Sequence, residues 1–192
     1  MTLAEYSAIR REYFQAIQNN VEDYLQGGGE SNKKEIIALV ALLYARVAFL
    51  AFQDGGGGDK LNKQAETYLA GRIKTEQAYV SEMFSKLKQA REDGVDDIDA
   101  AFEGQRRAEL YSRTLDQLYA NAKLIGAGGT MLTFDGEDGQ ESCIDCTRLK
   151  GKRRSARWWV KTNNVPPSRD FECHGYNCQH YLRDDNGRIY TI

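Results

Sequence analysis

The chain has 192 residues, enough for one medium-sized domain or two small ones, each with a real core. Charged residues make up 28 % and the mean hydropathy is -0.62, which predicts a water-soluble chain. A net charge of -2 and a pI near 5.8 exclude a general polyanion binder, so any nucleic-acid contact has to come from a local patch.

The opening MTLAEYSAIRREYF has no basic stretch followed by an apolar one, and predicts no secretory signal. Thr2 can cap a first helix running to about Leu25, ended by the glycines at 27–29. Ser31 opens a second helix to about Gln53. It is apolar almost all round, which predicts a helix enclosed by neighbours or by other chains. Its most apolar part, Ile36 to Phe52, carries Arg46 near its middle and sits at the lower limit of about 17 residues for crossing a bilayer. A buried or partner-facing helix is therefore expected, with no membrane contact.

DGGGGDK (54–60) reads as a flexible linker and an internal boundary. Asp59 can cap a third helix to about Glu92, with Leu61, Ala65, Tyr68, Leu69, Ile73, Val80, Met83, Phe84 and Leu87 mostly at three- and four-residue steps. After Gly94, Asp96 or Asp97 starts a fourth helix. Ile98, Phe102, Tyr111, Leu115, Leu118, Ala122 and Ile125 line one of its faces. The short connection predicts an antiparallel hairpin of helices three and four.

At GAGG (126–129) helical periodicity stops. TMLTF, ARWWVK and GRIYTI read as short strands, among the turn dipeptides Asp135-Gly136 and Asn186-Gly187. The expected order is an N-terminal helical pair (1–54), a linker (55–60), a helical hairpin (61–125) and a small module (126–192). The fold class is mainly α, closing in an α+β piece with short strands.

That last piece holds few core aliphatics but all four cysteines and both histidines, so it needs a staple. Cys143 and Cys146 form a Cys-x2-Cys pair whose thiolates can face one ion. Cys173 and Cys178 form a second pair, and four such ligands satisfy tetrahedral zinc. His174 and His180 are alternates for the later positions. A thioredoxin-like pair would need a βαβ setting, and a disulfide framework an oxidising compartment. A catalytic zinc would need an open position and a nearby base, and no His-Glu-x-x-His or His-x-Glu companion exists. An HNH nuclease would need more histidines than these two. The expected metal is a structural zinc, and no enzymatic activity is expected.

From Arg148 to Lys161 run seven cations and no acid, with Trp158 and Trp159 inside. Lys152, Arg153, Arg154, Arg157, Trp158 and Lys161 are candidates for non-specific, salt-sensitive contact with nucleic acid. The alternatives are that the cations offset thiolate charge or the acidic DGEDGQESCID upstream, and that one tryptophan faces a core.

RRAELYSRTLDQLYANAKLIGAGG, followed by CIDCTRLKGK, a Pro-Pro loop and a closing Cys/His cluster, resembles the phage minor head proteins (head-morphogenesis proteins like the F protein of phage Mu) over roughly residues 87–181. The matching positions are Arg113, Thr114 and Asn121, then Cys143, Cys146, Leu149 and Gly151, then Pro166, Pro167, His174, Cys178 and His180. The chain departs from the pattern at its end, where Cys173 is additional and His180 stands in a cysteine's place. It also departs at Leu115, where an acid usually follows Arg-Thr. The resemblance implies a virion component of a tailed-phage or prophage head, assembled in the host cytoplasm within a multimeric particle. It also implies docking to capsid, portal or other head proteins, with packaged DNA as a further contact. The runner-up is a non-specific nucleic-acid-binding zinc module acting as a packaging or regulatory factor.

Overall fold

The computed structural model describes residues 3–94, 114–137, 142–168, 170–175 and 178–191. In chain order they form α1 (Leu3–Leu25), α2 (Glu30–Asp54), α3 (Lys63–Glu92), a helix described over 114–127 (α4), β1 (Met131–Gly136), α5 (Ile144–Leu149), β2 (Arg153–Ser155), α6 (Ala156–Lys161) and β3 (His180–Arg183). The protein is mainly helical, with one small antiparallel sheet of order β2-β1-β3 and a cysteine cluster near the C-terminus. The expected cap Thr2, the start of the fourth helix at Asp96 or Asp97, and the turn of the helical hairpin lie outside the described residues.

Two compact units form: Met1–Val47 with Tyr68–Leu115, and Ala48–Thr67 with Asp116–Ile192. They interleave along the chain, whereas composition shifts suggest consecutive segments. In the first unit Tyr6, Ile9, Tyr13, Ile17, Val21 and Tyr24 of α1 are buried at three- and four-residue steps, as an amphipathic helix requires. So are Val80, Met83, Phe84 and Leu87 of α3, with Tyr24 and Phe84 meeting edge to face at 5.0 Å. Asn62, not Asp59, caps α3, because its side-chain oxygen accepts the N–H of Ala65. On the α3 stripe sits Glu76, a fully buried carboxylate whose Oε1 accepts from Arg72 at 3.0 Å.

α2 is long and apolar enough to cross a membrane by length and composition, yet less than half of its most apolar stretch is buried. Leu42 stays 67 % exposed. α4, by contrast, is buried around almost its whole circumference, including Asn121 and Lys123 rather than the Leu118–Ala122–Ile125 face alone.

The second unit is built on one apolar cluster. Ala120, Leu124 and Ala127 of α4 pack with Leu132 and Phe134 of β1, Cys146, Leu149, Trp159, Phe171, Leu182 and Tyr190. β1 alternates as a half-buried strand should: Leu132 and Phe134 face this core, while Thr133 lies on the other face. Two expected strands differ. ARWWVK is the helix α6, because Ser155 caps it with its hydroxyl on the N–H of Trp158. That local bond overrides the β propensity of Trp-Trp-Val. In GRIYTI no strand forms among the described residues: Ile189 makes an isolated bridge to Arg183, the Tyr190 N–H donates to the Leu182 carbonyl, and the strand is His180–Arg183. Asp135-Gly136 ends β1 rather than turning it, whereas Asn186-Gly187 does form a turn, with Gly187 at φ +82°.

The glycine tract after α2 is a packed turn, not a loose linker. A Cβ on Gly55 would lie 1.9 Å from the carbonyl oxygen of Lys123, and one on Gly57 would overlap the Phe52 ring. Gly126 makes the reciprocal approach to the carbonyl of Phe52. Backbones this close admit only glycine.

The approach seats a charged cluster. Asp54 Oδ2 accepts from Lys123 Nζ at 2.9 Å and from the Tyr119 hydroxyl at 2.9 Å, and its Oδ1 lies 3.2 Å from Arg188. Lys123 also donates to the carbonyl of Ile189 and lies over the rings of Tyr119 and Tyr190. Burial alone would raise the Asp54 pKa, but the hydrogen bonds from Lys123 and Tyr119 outweigh it and hold the carboxyl below its usual value. A carboxylate depressed in the folded state stabilises the fold above its unfolded pKa, and that contribution is lost as pH falls through the folded one. With side chains only 9 % (Lys123) and 20 % (Asp54) exposed, Asp54→Ala is expected to cost about 3 kcal/mol at neutral pH. The difference from the unaltered chain should shrink below about pH 4. Denaturant unfolding across a pH series measures both.

Candidate metal centre

Each thiol of the cluster is placed by a different piece of local structure. Cys143 is the N-cap of α5, with φ -70° and ψ 160°, and its Sγ accepts the N–H of Cys146 at 3.5 Å. One turn of helix then carries Cys146 inward, where it is buried beside Leu149. Lys150 N–H closes on the Cys146 carbonyl, and Gly151, at φ +74°, sends its N–H to the Phe134 carbonyl at 2.8 Å. The Cys-x2-Cys segment therefore ends against β1.

The second half comes from the loop after Ser168, pinned by buried Phe171, whose ring lies 6.4 Å from that of Phe134. Cys173 follows, half-buried. Cys178 enters β3, and His180 is its first residue, opposite Gly136 in the β1–β3 register. Gly136 lets the strands meet there: a Cβ would lie 2.6 Å from the Gln179 carbonyl and 3.1 Å from the His180 ring.

The result is two overlapping groups able to hold a metal ion. The ligand atoms of Cys143, Cys146 and Cys173 lie within 4.8 Å of one another, and so do those of Cys146, Cys178 and His180. Cys146 belongs to both, and its Sγ is 3.9 Å from that of Cys178. Tetrahedral thiolates about 2.3 Å from a zinc ion stand about 3.8 Å apart. All four thiols are free. His174, the other alternate, is exposed at φ 49° and belongs to neither group.

The electrostatics favour a cation here. Burial pushes the Cys146 thiol up, and Cys178, Cys143 and Cys173 push it further. Burial also raises Cys173, the Gly175 N–H partly offsetting it, with Cys143 and Cys178 adding to the rise. Cys143 goes the other way: burial opposes ionisation, but the backbone N–H groups of Cys146 and Cys173 and the neighbouring thiols hold it below its ordinary value. For Cys146 and Cys173 burial and the neighbouring thiols oppose ionisation, and a bound dication would reverse that penalty.

Of the basic-run residues, Arg153 makes a two-point contact with Asp185, its Nη2 at 2.6 Å. Arg148 pairs with Asp145, and Asp135 of the acidic stretch goes to Arg183. Trp159 is in the core, its indole N–H donating to the carbonyls of Leu132 and Arg154. Trp158 is half-buried beneath the Arg154 guanidinium, and Lys152, Arg157 and Lys161 are exposed.

Two residues that spacing did not single out clasp the halves of the centre. Asp145 Oδ2 accepts the N–H of Glu172 at 3.0 Å, and Glu172 Oε2 accepts the N–H of Ile144 at 3.0 Å. Each stands beside a cysteine, which was the only signal available. Residues supporting metal ligands typically tune affinity by roughly 10- to 100-fold. Asp145→Ala and Glu172→Ala should each weaken cobalt(II) or zinc binding by about tenfold, measured by competition with a chromophoric chelator. Arg148→Gln, which removes only an exposed pair, should change it little.

Comparison with protein-family models, curated proteins and solved structures returns no match, so the centre is interpreted from its own residues and geometry.

Proposed function

We propose that this chain is a structural protein of a tailed-phage or prophage head, not an enzyme, and that a zinc ion staples its second unit. The observation that carries the zinc reading is the convergence of Cys143, Cys146, Cys173 and Cys178 on buried Cys146, from segments spread over residues 143–178. Three thiols within 4.8 Å of one another and a fourth 3.9 Å from Cys146 make a donor set that suits zinc, and four protein ligands would leave no open position for chemistry. His180, buried beside Cys146 and Cys178, is the reserve donor. Zinc here would supply charge balance and cross-linking, holding α5, the 170–175 loop and β3 around one core.

The head-protein reading is supported by the minor-head-like pattern, now seen in physical terms. Thr114 is buried and bonded to the Tyr44 hydroxyl, and Asn121 is buried with its amide on the Gln117 carbonyl. Leu149 is in the core and Gly151 occupies a left-handed turn. Exposed Leu42 and Tyr79 leave apolar surface in the first unit for other subunits. The partners proposed are capsid or portal subunits, met in the host cytoplasm and retained in the head.

Purified protein should contain about one zinc per chain. Chelation should red-shift Trp159 emission as the second unit opens, and Cys146→Ser should abolish both metal and shift. Metal-free protein with an unaltered spectrum would refute the staple. Separately, mass spectrometry of assembled heads, or of a pull-down from cells making portal and capsid subunits, should recover this chain with them. Its absence from both would refute the head assignment.

A further inference from the structure

The seven cations of the basic run part into two sets once their partners are known. Arg148 and Arg153 are held by Asp145 and Asp185, and Lys150 acts on Asp135. Lys152, Arg154, Arg157 and Lys161 are exposed, and no carboxylate of the described residues pairs with them. Strand alternation makes the separation: Arg153 stands opposite Thr133 on the outer face of the sheet, and Arg154 opposite Leu132 on the face where α6 packs.

α6 extends that second set. At about 100° per residue, Arg157, Trp158 and Lys161 fall within an arc of roughly 100°, away from buried Ala156 and Trp159. The Arg154 guanidinium lies 5.7 Å from the centre of the Trp158 ring, and Trp159 braces that ring edge-on at 4.9 Å. A guanidinium over an indole ring is thus flanked by three cations that no carboxylate of the described residues pairs with. One ordinary role fits these residues poorly. Charged residues guard sheet edges, and β2 is an edge strand, but Arg157 and Lys161 are on the helix.

We propose that the face made by Lys152, Arg154, Arg157, Trp158 and Lys161 binds single-stranded nucleic acid. Its phosphates lie on the lysines and Arg157, and a base stacks on the Arg154–Trp158 platform. Single strands are the fitting partner because their base faces are free to stack, whereas a duplex buries them. Recognition is of backbone charge and base plane, so it is independent of sequence. None of the five residues is a metal candidate, so this proposal and the zinc reading fail separately.

The test is titration of the full chain with poly(dT), followed by tryptophan fluorescence over a salt series. Duplex poly(dA)·poly(dT), heparin and polyglutamate are the comparators. Binding with quenched emission is expected, and log K should fall against log salt with a slope of about -2, three phosphate-binding cations at roughly 0.7 each. Trp158→Leu should abolish the quenching and weaken binding by about tenfold. The pair Arg157→Gln and Lys161→Gln should lower the slope by about 1.4. Arg153→Gln should change nothing, and unshifted Trp159 emission verifies that each variant is folded. The proposal is overturned by no binding at the lowest salt. It is equally overturned by duplex, heparin or polyglutamate binding as tightly as poly(dT), or by an equal loss in Arg153→Gln.

Discussion

The second unit depends on one buried sulfur. Cys146 sits among Leu149, Phe134 and Trp159 on one side and among three further thiols and His180 on the other, so it belongs at once to the apolar core and to the polar centre. A thiol tolerates both surroundings because, protonated, it packs as a small hydrophobe, and ionised, it is a strong metal ligand. With the thiols crowded to 3.9 Å, the ionised form is costly unless a cation arrives. A metal bound there would be coupled to the core through the same atom. The Asp145–Glu172 clasp ties the two ligand-bearing loops to each other. Such a tie would lower the ordering entropy left to a metal.

Much of this was legible in the residues, for reasons that can be named. Cys-x2-Cys with a second cysteine pair points to a metal whatever the surrounding fold, because ligand spacing is set by coordination geometry. The first helix announced itself through its bounding glycines, the second through its apolar run, the third through three- and four-residue steps, and TMLTF through its β-like residues. Legibility failed where a single tertiary or capping contact decided the outcome. Ser155 turned a β-prone Trp-Trp-Val into helix. The four glycines at 55–58 read as slack, but Gly55 is a close approach to the backbone of Lys123 and Gly57 lies under the Phe52 ring. Lys123, on a helix whose apolar stripe looked one-sided, is buried because Asp54, the Ile189 carbonyl and two tyrosine rings together replace its water. Nothing local to Lys123 announces a carboxylate at the end of α2. Glu76 is the same lesson in the first unit: a charge on an apolar register that only its partners explain.

The cysteine-containing signature can be taken apart position by position. Cys143 caps α5, Cys146 lies one turn on and faces inward, Leu149 continues that inward face into the core, and Gly151 reverses the chain in a left-handed turn against β1. Any chain that docks a metal-binding turn onto a strand in this way has reason to use these residue types at these intervals. The pattern speaks strongly for the turn and only indirectly for the biology carried on it. The proposed link to head proteins then leans on the other matched positions. Thr114 and Asn121 lie on α4, a helix buried nearly all round, and each side chain is tied by a hydrogen bond. Thr114 reaches across to Tyr44 of α2, a contact that a metal-binding turn does not require. This buried polar tie lies between two helices outside the metal centre, so helix packing and not coordination chemistry accounts for it.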